Sequence, residues 1–303
     1  MTAYADAAYA AALAEFGTPC PLPRSGGWVL ERAIPDSPYR DAIGCYPLFA
    51  CADWAGLRED LEELGDRFVS LTIVTDPFGA YVPGSLCESF PDLARPFKQH
   101  FVTDLSQPVD GFASRHHRRY ASKARREVAV LVGDPPIRHL EEWLALYQAL
   151  IVRHRIHGIA AFSRRSFERQ FLVPGLRLLR AEWQGNIVGM TLWFVSEKIA
   201  YYHLGAYNAQ GYAVRAAFAL FREAIDVFAG AGVRWLSLGG GAGIQSTASD
   251  GLSRFKHGWA TGTRTAFLCG RIFNRPAYEE LCAARGAREG SYFPAYRQGE
   301  FGA

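Results

Sequence analysis

The stretch between residues 176 and 243 constrains the fold more than any other part of the chain. Three apolar segments rich in aromatic residues follow one another, separated by short turns containing glycine, asparagine or charged residues. This is the pattern of an antiparallel β-meander, because such residues suit a pleated, buried surface and such turns reverse the chain. The predicted strands cover residues 176–182, 187–195 and 199–207.

A long helix and a fourth strand are predicted after the meander. Apolar residues recur at helical spacing between residues 212 and 229, and glycines at 230 and 232 end the pattern. Residues 233–238 then have the composition of a buried strand, and a glycine-rich loop follows at 239–243. The whole stretch is therefore expected to form one unit, with three strands, a helix and a returning strand.

These residues carry a resemblance to a known family. The meander, the loop with Gly211 and Ala213, the helix and the return strand resemble the core of the GNAT N-acyltransferases. Residues 250–259 (DGLSRFKHGW) are similar to the C-terminal motif of the FemABX-like branch, whose members carry two GNAT-like domains. The resemblance implies an α+β (mixed αβ) fold of tandem GNAT-like domains, with mostly antiparallel central sheets flanked by helices.

Length and breakpoints indicate two domains. A chain of 303 residues can bury one large core or two ordinary ones. The Gly-Asp-Pro-Pro run at residues 133–136 interrupts the regular pattern, so the expected boundary follows Asp134. We expect a divergent N-terminal GNAT-like domain over residues 1–134 and a C-terminal GNAT domain with the donor site over residues 135–303.

Several classes of protein are disfavoured by the sequence. No apolar run is long enough to span a bilayer, and the N-terminus lacks the basic start of a signal peptide. The six cysteines form no CxxC pair, and the histidines lack the spacing of metal ligands. The expectation is a cytoplasmic protein with free thiols, no transmembrane segment and no metal; its oligomeric state stays open.

One segment concentrates positive charge. Residues 115–126 contain six Arg or Lys and two His, and no acidic residue occurs before Glu127. In FemABX-like proteins such a basic helix lies between the two domains. The functional interpretation is contact with phosphate, from tRNA or from a nucleotide-linked acceptor; the alternative is a solvated face. The candidate contacts are Arg115, Arg118, Arg119, Lys123 and Arg126.

The donor site is predicted at the start of the long helix. Backbone N–H groups at such a position favour phosphate, and in GNAT enzymes this turn holds the pyrophosphate of acyl-CoA. Asn208 occupies the place where the family pattern has Gln or Arg, which is compatible with another donor. The expected co-substrate is an activated acyl donor, aminoacyl-tRNA or acyl-CoA, with no tightly bound cofactor. The candidate donor-binding residues are Asn208, Gly211, Tyr212, Ala213 and Arg215.

The candidate catalytic residues are Lys256, Phe255 and His203. The Phe255-Lys256 pair matches the FemABX motif, which implies that Lys256 stabilises negative charge on the tetrahedral species; the alternative is a surface lysine. His203 could accept a proton from the attacking amine, or be a structural residue. Tyr202 and Asp250 are expected in the acceptor cleft, although Asp250 is as well suited to cap the turn that follows it.

The predicted function is N-acyl or aminoacyl transfer to an amine, carried by a small molecule or a cell-wall precursor. Two alternatives remain. One is a non-catalytic GNAT-fold protein that binds nucleic acid or another ligand. The other is an S-adenosylmethionine-dependent methyltransferase, suggested by Gly239-x-Gly241-x-Gly243 after a strand. An antiparallel meander before that loop disfavours the methyltransferase, which needs a parallel sheet.

Overall fold

The computed structural model describes residues 3–241, 250–287, 290 and 292–300. Its β-strands are β1 (Thr18–Leu22), β2 (Gly27–Ala33), β3 (Arg40–Gly44), β4 (Ser70–Val74), β5 (Leu93–Asp104), β6 (Ala129–Gly133), β7 (Leu176–Trp183), β8 (Asn186–Ser196), β9 (Ile199–Tyr207), β10 (Trp235–Gly239) and β11 (Gly262–Ile272).

The α-helices are α1 (Ala7–Ala12), α2 (Leu57–Glu63), α3 (Pro83–Ser89), α4 (Val109–Phe112), α5 (Arg115–Ala124), α6 (Leu140–His154), α7 (Arg164–Gln170), α8 (Ala209–Ala213), α9 (Ala216–Gly230), α10 (Gly251–His257) and α11 (Arg275–Ala284). None of the described helices is both long and apolar enough to cross a membrane. None of the six cysteines, all of which lie in described residues, forms a disulfide.

The chain divides into two compact units. The first contains residues 1–97, 157–170 and 266–303, and the second contains residues 98–156 and 171–265. These units differ from the predicted split after Asp134, because residues 98–134 belong with the second half of the chain. The assignment of residues 1–134 as a separate GNAT-like domain therefore stays a prediction.

The second unit has a mostly antiparallel sheet with the order β6-β7-β8-β9-β10-β5. The pairs β6–β7, β7–β8, β8–β9 and β10–β5 are antiparallel, and β9–β10 is parallel. Helix α9 packs on β7, β8 and β9, and α6 packs on β8 and β9. The prediction of a mixed αβ fold with mostly antiparallel sheet flanked by helices is confirmed.

The first unit repeats this strand pattern. Its order is β1-β2-β3-β4-β11, with β3–β4 parallel and the other pairs antiparallel. In each unit a meander is followed by a helix and a parallel return strand. The strand beside the return strand comes from the other half of the chain, since β5 ends in the second unit and β11 ends in the first. A single domain boundary in the sequence therefore cannot separate the two units, because each contains segments from both halves of the chain.

The long predicted helix is two helices in the structure. Helix α8 ends at Ala213, Arg215 takes a left-handed backbone with φ 59°, and α9 begins at Ala216. The prediction of one helix from residue 212 was wrong at its start, because the apolar stripe is continuous across this break and periodicity does not register one left-handed residue.

The core of the second unit lies between α9 and its sheet. Trp193 on β8 packs against Phe221 and Phe228 of α9, with ring centroids 5.7 and 5.2 Å apart. Trp193 is fully buried, and so are Ala216, Ala219 and Ala224 of α9. Burying rings of this size is the main favourable term here, because stabilisation scales with the apolar area removed from water.

Candidate active site

The parallel strands β9 and β10 diverge after a short paired region. They pair through Trp235–Ser237 with Ile199–Tyr201, and then β9 continues to Tyr207. A β-bulge lies where they part: Leu192 pairs with Leu204 and Trp193 with Tyr202, so His203 is the extra residue on β9. A bulge bends and twists its strand, and β9 and β10 no longer pair beyond Tyr201 and Ser237; we call the region between their unpaired ends the cleft.

Lys256 extends from α10 to this cleft. Asp250 caps α10 by accepting hydrogen bonds from the Ser253 amide and hydroxyl, both at 2.7 Å. The Lys256 side chain is buried, and its Nζ donates to the Gly240 carbonyl oxygen at 2.6 Å. The same Nζ lies 5.7 Å from the ring centroid of Tyr202 on β9. Lys256, Tyr202 and Asp250, which the sequence assigns to the site, are thus brought together.

The ammonium of Lys256 lies in an unfavourable environment. Burial, then repulsion by Lys98, lower its pKa from 10.5 to about 7, although Asp250 acts in the opposite direction. The Asp250 carboxyl has a lowered pKa, first because it accepts from the Ser253 side chain. A charge held in a poorly solvated site interacts strongly with any charge that develops beside it. This is the environment that an electrostatic catalyst needs.

His117 attaches α10 to α5. Its Nε2 donates to the Phe255 carbonyl at 2.9 Å, so Nδ1 of the neutral ring accepts from the Ser114 hydroxyl at 2.7 Å. Gly258 is required here, since a Cβ on it would lie 2.0 Å from the His117 ring. Burial lowers the pKa of His117, which keeps the ring neutral. In the sequence, His117 is one of two histidines in the basic segment, and nothing near it in the chain indicates this positioning role.

Phe255 is a packing residue. Its ring lies 5.1 Å from Phe218 and 4.8 Å from Phe221, and its carbonyl accepts from His117. These contacts fix the face of α10 that carries Lys256 towards the cleft. The structure gives Phe255 a role in holding its neighbour, and a direct part in catalysis stays a prediction.

His203 faces away from Lys256. Its ring packs 4.9 Å from Phe194, whereas Tyr202 packs against Trp193 on the other face of β8. Burial lowers the pKa of His203 to about 3. A base with so low a pKa binds protons weakly near neutrality. The geometry thus favours the structural role that the sequence left open for this histidine.

The predicted donor-binding turn is capped by its own side chain. Asn208 accepts from the Gly211 amide at 2.8 Å, so this N–H already has a partner. A Cβ on Gly211 would lie 2.1 Å from the Val188 carbonyl oxygen, which explains the glycine without a ligand. Tyr212 and Ala213 are exposed on the short helix α8. The expectation that Gly211 begins the long helix with an open amide was wrong.

Arg215 lies towards α5 instead of closing this turn. Its guanidinium carbon lies 4.8 Å from the centroid of the Tyr120 ring. A second cation, Arg153, stacks over Tyr212 at 4.1 Å. Two arginines therefore border the exposed end of α8 and the break before α9. The environment is basic, although the Gly211 amide is already bonded to Asn208.

Helix α5 carries the basic segment, and most of its charge is exposed. Arg118 pairs with Asp110 at 3.3 Å, and Arg125 pairs with Glu223 at 3.2 Å. Within the described part of the chain, no ion pair involves the other candidates, Arg115, Arg119, Lys123 and Arg126. A cavity of about 490 Å³ lies beside this face, lined by Asp110, Arg118, Ala121, Ser122, Arg125, Arg126 and Arg222.

Two further site residues come from β5. Lys98 and His100 lie two residues apart on one face of that strand. Lys98 lowers the pKa of Lys256, and the two lysines lower the pKa of His100. The sequence gives little sign that these two residues belong to the site, because β5 is far from α10 along the chain.

Neither a three-ligand metal cluster nor the parallel sheet of a methyltransferase is found among the described residues. Among the residues described, no group of three His, Cys, Asp or Glu side chains could hold a metal ion. Strand β10 lies between antiparallel β5 and parallel β9, which is not the doubly wound parallel sheet of a methyltransferase. Gly243 of the glycine-rich loop lies outside the described residues.

Part of the chain matches a known domain family. Residues 113–257 match the family model described as Acetyltransferase (GNAT) domain. No curated protein is significantly similar to the chain in sequence. The matched segment includes α5, the meander, α9 and α10, which are the elements that position Lys256.

Solved structures give the wider fold. FemX is similar with a TM-score of 0.62 and 14% identity, over 84% of this chain and 86% of that one. The C-terminal domain (DUF2156) of an Agrobacterium fabrum protein named as a lysylphosphatidylglycerol synthetase is similar with a TM-score of 0.65 and 15% identity, over 91% of each chain. L-PGS from Bacillus licheniformis is similar with a TM-score of 0.55 and 15% identity, over 92% of this chain and 96% of that one. Residues 113–257 therefore match a GNAT acetyltransferase domain, and the chain has the fold of these FemX-like proteins.

Proposed function

We propose that this protein is an N-acyltransferase that moves an acyl or aminoacyl group from an activated ester or thioester to an amine. The observation that carries the proposal is the buried ammonium of Lys256 at the point where β9 and β10 diverge. A fixed cation in a poorly solvated cleft is matched to a reaction whose intermediate carries an oxyanion.

In the proposed reaction, the amine nitrogen attacks the carbonyl carbon of the donor and forms the new C–N bond. The carbonyl oxygen takes up the electron pair and is stabilised by Lys256. When the tetrahedral species collapses, the C–O or C–S bond to the carrier breaks, and the proton lost by the amine ends on the released hydroxyl or thiol. Much of the acceleration is expected from orientation, since amines attack activated esters readily.

For the donor, the exposed charge on α5 favours aminoacyl-tRNA slightly over acyl-CoA. Arg115, Arg119 and Lys123 are exposed cations on α5, and exposed Arg126 follows just after its end, which suits a phosphate backbone. The Gly211 amide, which the GNAT resemblance assigns to the pyrophosphate of acyl-CoA, is occupied by Asn208. The acceptor is proposed only as an amine, on a small molecule or a cell-wall precursor.

The direct test offers both donor classes. The full chain is incubated with charged tRNA, or with acetyl- and longer acyl-CoAs, together with a panel of amines, and amide products are measured by mass spectrometry. Lys256→Met should lower kcat by about 10²–10³-fold. The matched control is Lys198→Met, because Lys198 also donates to a backbone carbonyl, that of Gly232, but is exposed. Equal rates for the two variants would contradict the role of Lys256.

The tRNA preference has its own test. Neutralising Arg119 and Lys123 to Gln should weaken tRNA binding and make it less dependent on salt, because fewer counterions are released. The control is Arg58→Gln, an exposed arginine on α2 in the first unit. Tight RNA binding with no transfer from any donor would favour the non-catalytic alternative instead.

A further inference from the structure

The end strand of the second unit's sheet has one open side. Strand β6 stands last in the strand order, and among the described residues it pairs with β7 alone. The backbone groups on the outer side of such a strand have no ladder partner. No backbone–backbone hydrogen bond from elsewhere in the described chain reaches Ala129–Gly133. We call Ala129–Gly133 the open edge.

The open edge exposes apolar side chains on both of its faces. Successive residues of a strand point to opposite faces, and the neighbours Leu131 and Val132 are 41% and 49% exposed. Ala129 is exposed as well, and the strand contains no charged residue. A further strand added at this side would cover both faces at once, because its side chains pack beside those of its neighbour.

The end strand of the first unit is different in kind. Strand β1 pairs with β2 alone among the described residues, and it contains Pro19 and Pro21. Proline has no backbone N–H to offer to a further strand, and proline and charge are the usual means by which sheet edges are protected. The open edge has neither of them. Its sequence therefore indicates a strand that is covered by another strand when the protein is in solution.

Charges at the two ends of the open edge indicate a second copy of the chain as the cover. Arg126 and Glu127 precede the strand, and Asp134 and Arg138 follow it. All four are exposed, and none has an ion pair among the described residues. Antiparallel pairing of two identical strands brings the start of one beside the end of the other. Arg126 then approaches Asp134 of the second copy, and opposite charges across a strand pair are stabilising.

We propose that the open edge is a dimerisation surface, on which β6 of a second copy of this chain adds in the antiparallel direction. The two copies are related by a two-fold axis, so the same residues serve on both sides. Full overlap of the five residues places Leu131 opposite its own copy and Val130 opposite Val132. Arg126 then belongs to the interface and not to the phosphate contacts of α5. The proposal does not depend on the transfer reaction.

The mass of the full chain in solution tests the dimer. Light scattering is measured over a wide concentration series, because one added strand makes a small interface and the dimer should dissociate on dilution. Leu131→Lys should weaken the dimer at least tenfold, since it sets like charges directly opposite each other at the two-fold axis. The matched control is Val82→Lys in the first unit, where Val82 is 65% exposed; it should dimerise like the wild type. Circular dichroism checks that both variants are folded.

Cross-linking tests the register of the two strands. Directly opposite residues of antiparallel strands have Cα atoms about 4.5–5.5 Å apart, which a disulfide can bridge. In a Cys87→Ser background, which removes the exposed native thiol, Leu131→Cys should give a covalent dimer on mild oxidation, and Val82→Cys should not.

A charge exchange tests the contact between the strand ends. Asp134→Arg should weaken the dimer, because it faces Arg126 of the second copy. Adding Arg126→Glu to the same chain should restore the dimer, since opposite charges then face each other again. A role of Asp134 in the fold of one chain alone would not produce this recovery.

Two results would overturn the dimerisation surface: a monomer at every concentration, or a dimer that Leu131→Lys leaves intact. A dimer that dissociates in Leu131→Lys but is not cross-linked through Leu131→Cys would contradict the antiparallel pairing centred on Leu131. None of these measurements uses acyl transfer as its readout. A protein that dimerises as described yet transfers no acyl group keeps the interface and loses the proposed function, and active monomers do the reverse.

Discussion

Replacing Lys256 by Met should make the protein less sensitive to pH between 7 and 9. Lys256 has a pKa of about 7 in the folded chain and 10.5 as its ordinary value. Between these values the unfolded chain binds a proton that the folded chain does not, so stability rises with pH. At about 1.4 kcal/mol per unit, the charged side chain costs about 5 kcal/mol below pH 7, and about 2 kcal/mol of this is recovered by pH 9.

Urea unfolding at pH 7 and pH 9 measures this effect. The wild-type free energy of unfolding should rise by about 2 kcal/mol more than that of Lys256→Met, because the other titrating groups are common to both. Lys198→Met, with its exposed ammonium, should follow the wild type. If wild type and Lys256→Met changed equally, Lys256 would not be a desolvated cation, and the argument for an oxyanion site would lose its basis.

Three other predictions concern the supports of the site. His117→Ala should cost about 3 kcal/mol in urea unfolding, through a lost ring and two lost hydrogen bonds, and it should lower transfer by displacing α10. Gly211→Ala should destabilise by about 2 kcal/mol or more, since its Cβ would lie 2.1 Å from a carbonyl oxygen of β8, whereas Gly230→Ala, with open space at its Cβ, should not destabilise. Stability should fall as pH drops from about 6.5 towards 3, because His100 and His203, each with a folded pKa of about 3, take up protons only in the unfolded chain; acid titration should be shallower in His203→Phe.

The local structure of the second unit could be predicted from periodicity and turn residues. The meander strands appear within a residue or so of their predicted bounds, as β7, β8 and β9. Asp250 caps α10, one of the two roles that the sequence allowed. Both features depend on neighbours within a few residues, and alternation, turn residues and caps are patterns of that length in the sequence. The left-handed Arg215 was missed because a single backbone dihedral leaves no periodic trace.

The domain organisation could not be read in the same way. The exchange by which β5 ends in the second unit and β11 in the first depends on pairing between segments far apart in the chain. A linear sequence shows where a strand forms, but its partner is selected by the packing of the whole sheet. The same limitation hid Lys98 and His100, whose importance comes only from the helix that reaches them.

By itself, the sequence determined the order of elements, the mixed αβ class and the lysine that a family motif marks. The tertiary structure decided the environment of that lysine: buried, facing a second lysine, and held by a backbone carbonyl at 2.6 Å. It also decided that His203 belongs to the core and that the Gly211 amide is already bonded. The physical reason is that the acidity of a side chain depends on the solvent and charges around it. Those surroundings exist only once β5, β9, β10 and α10 have come together.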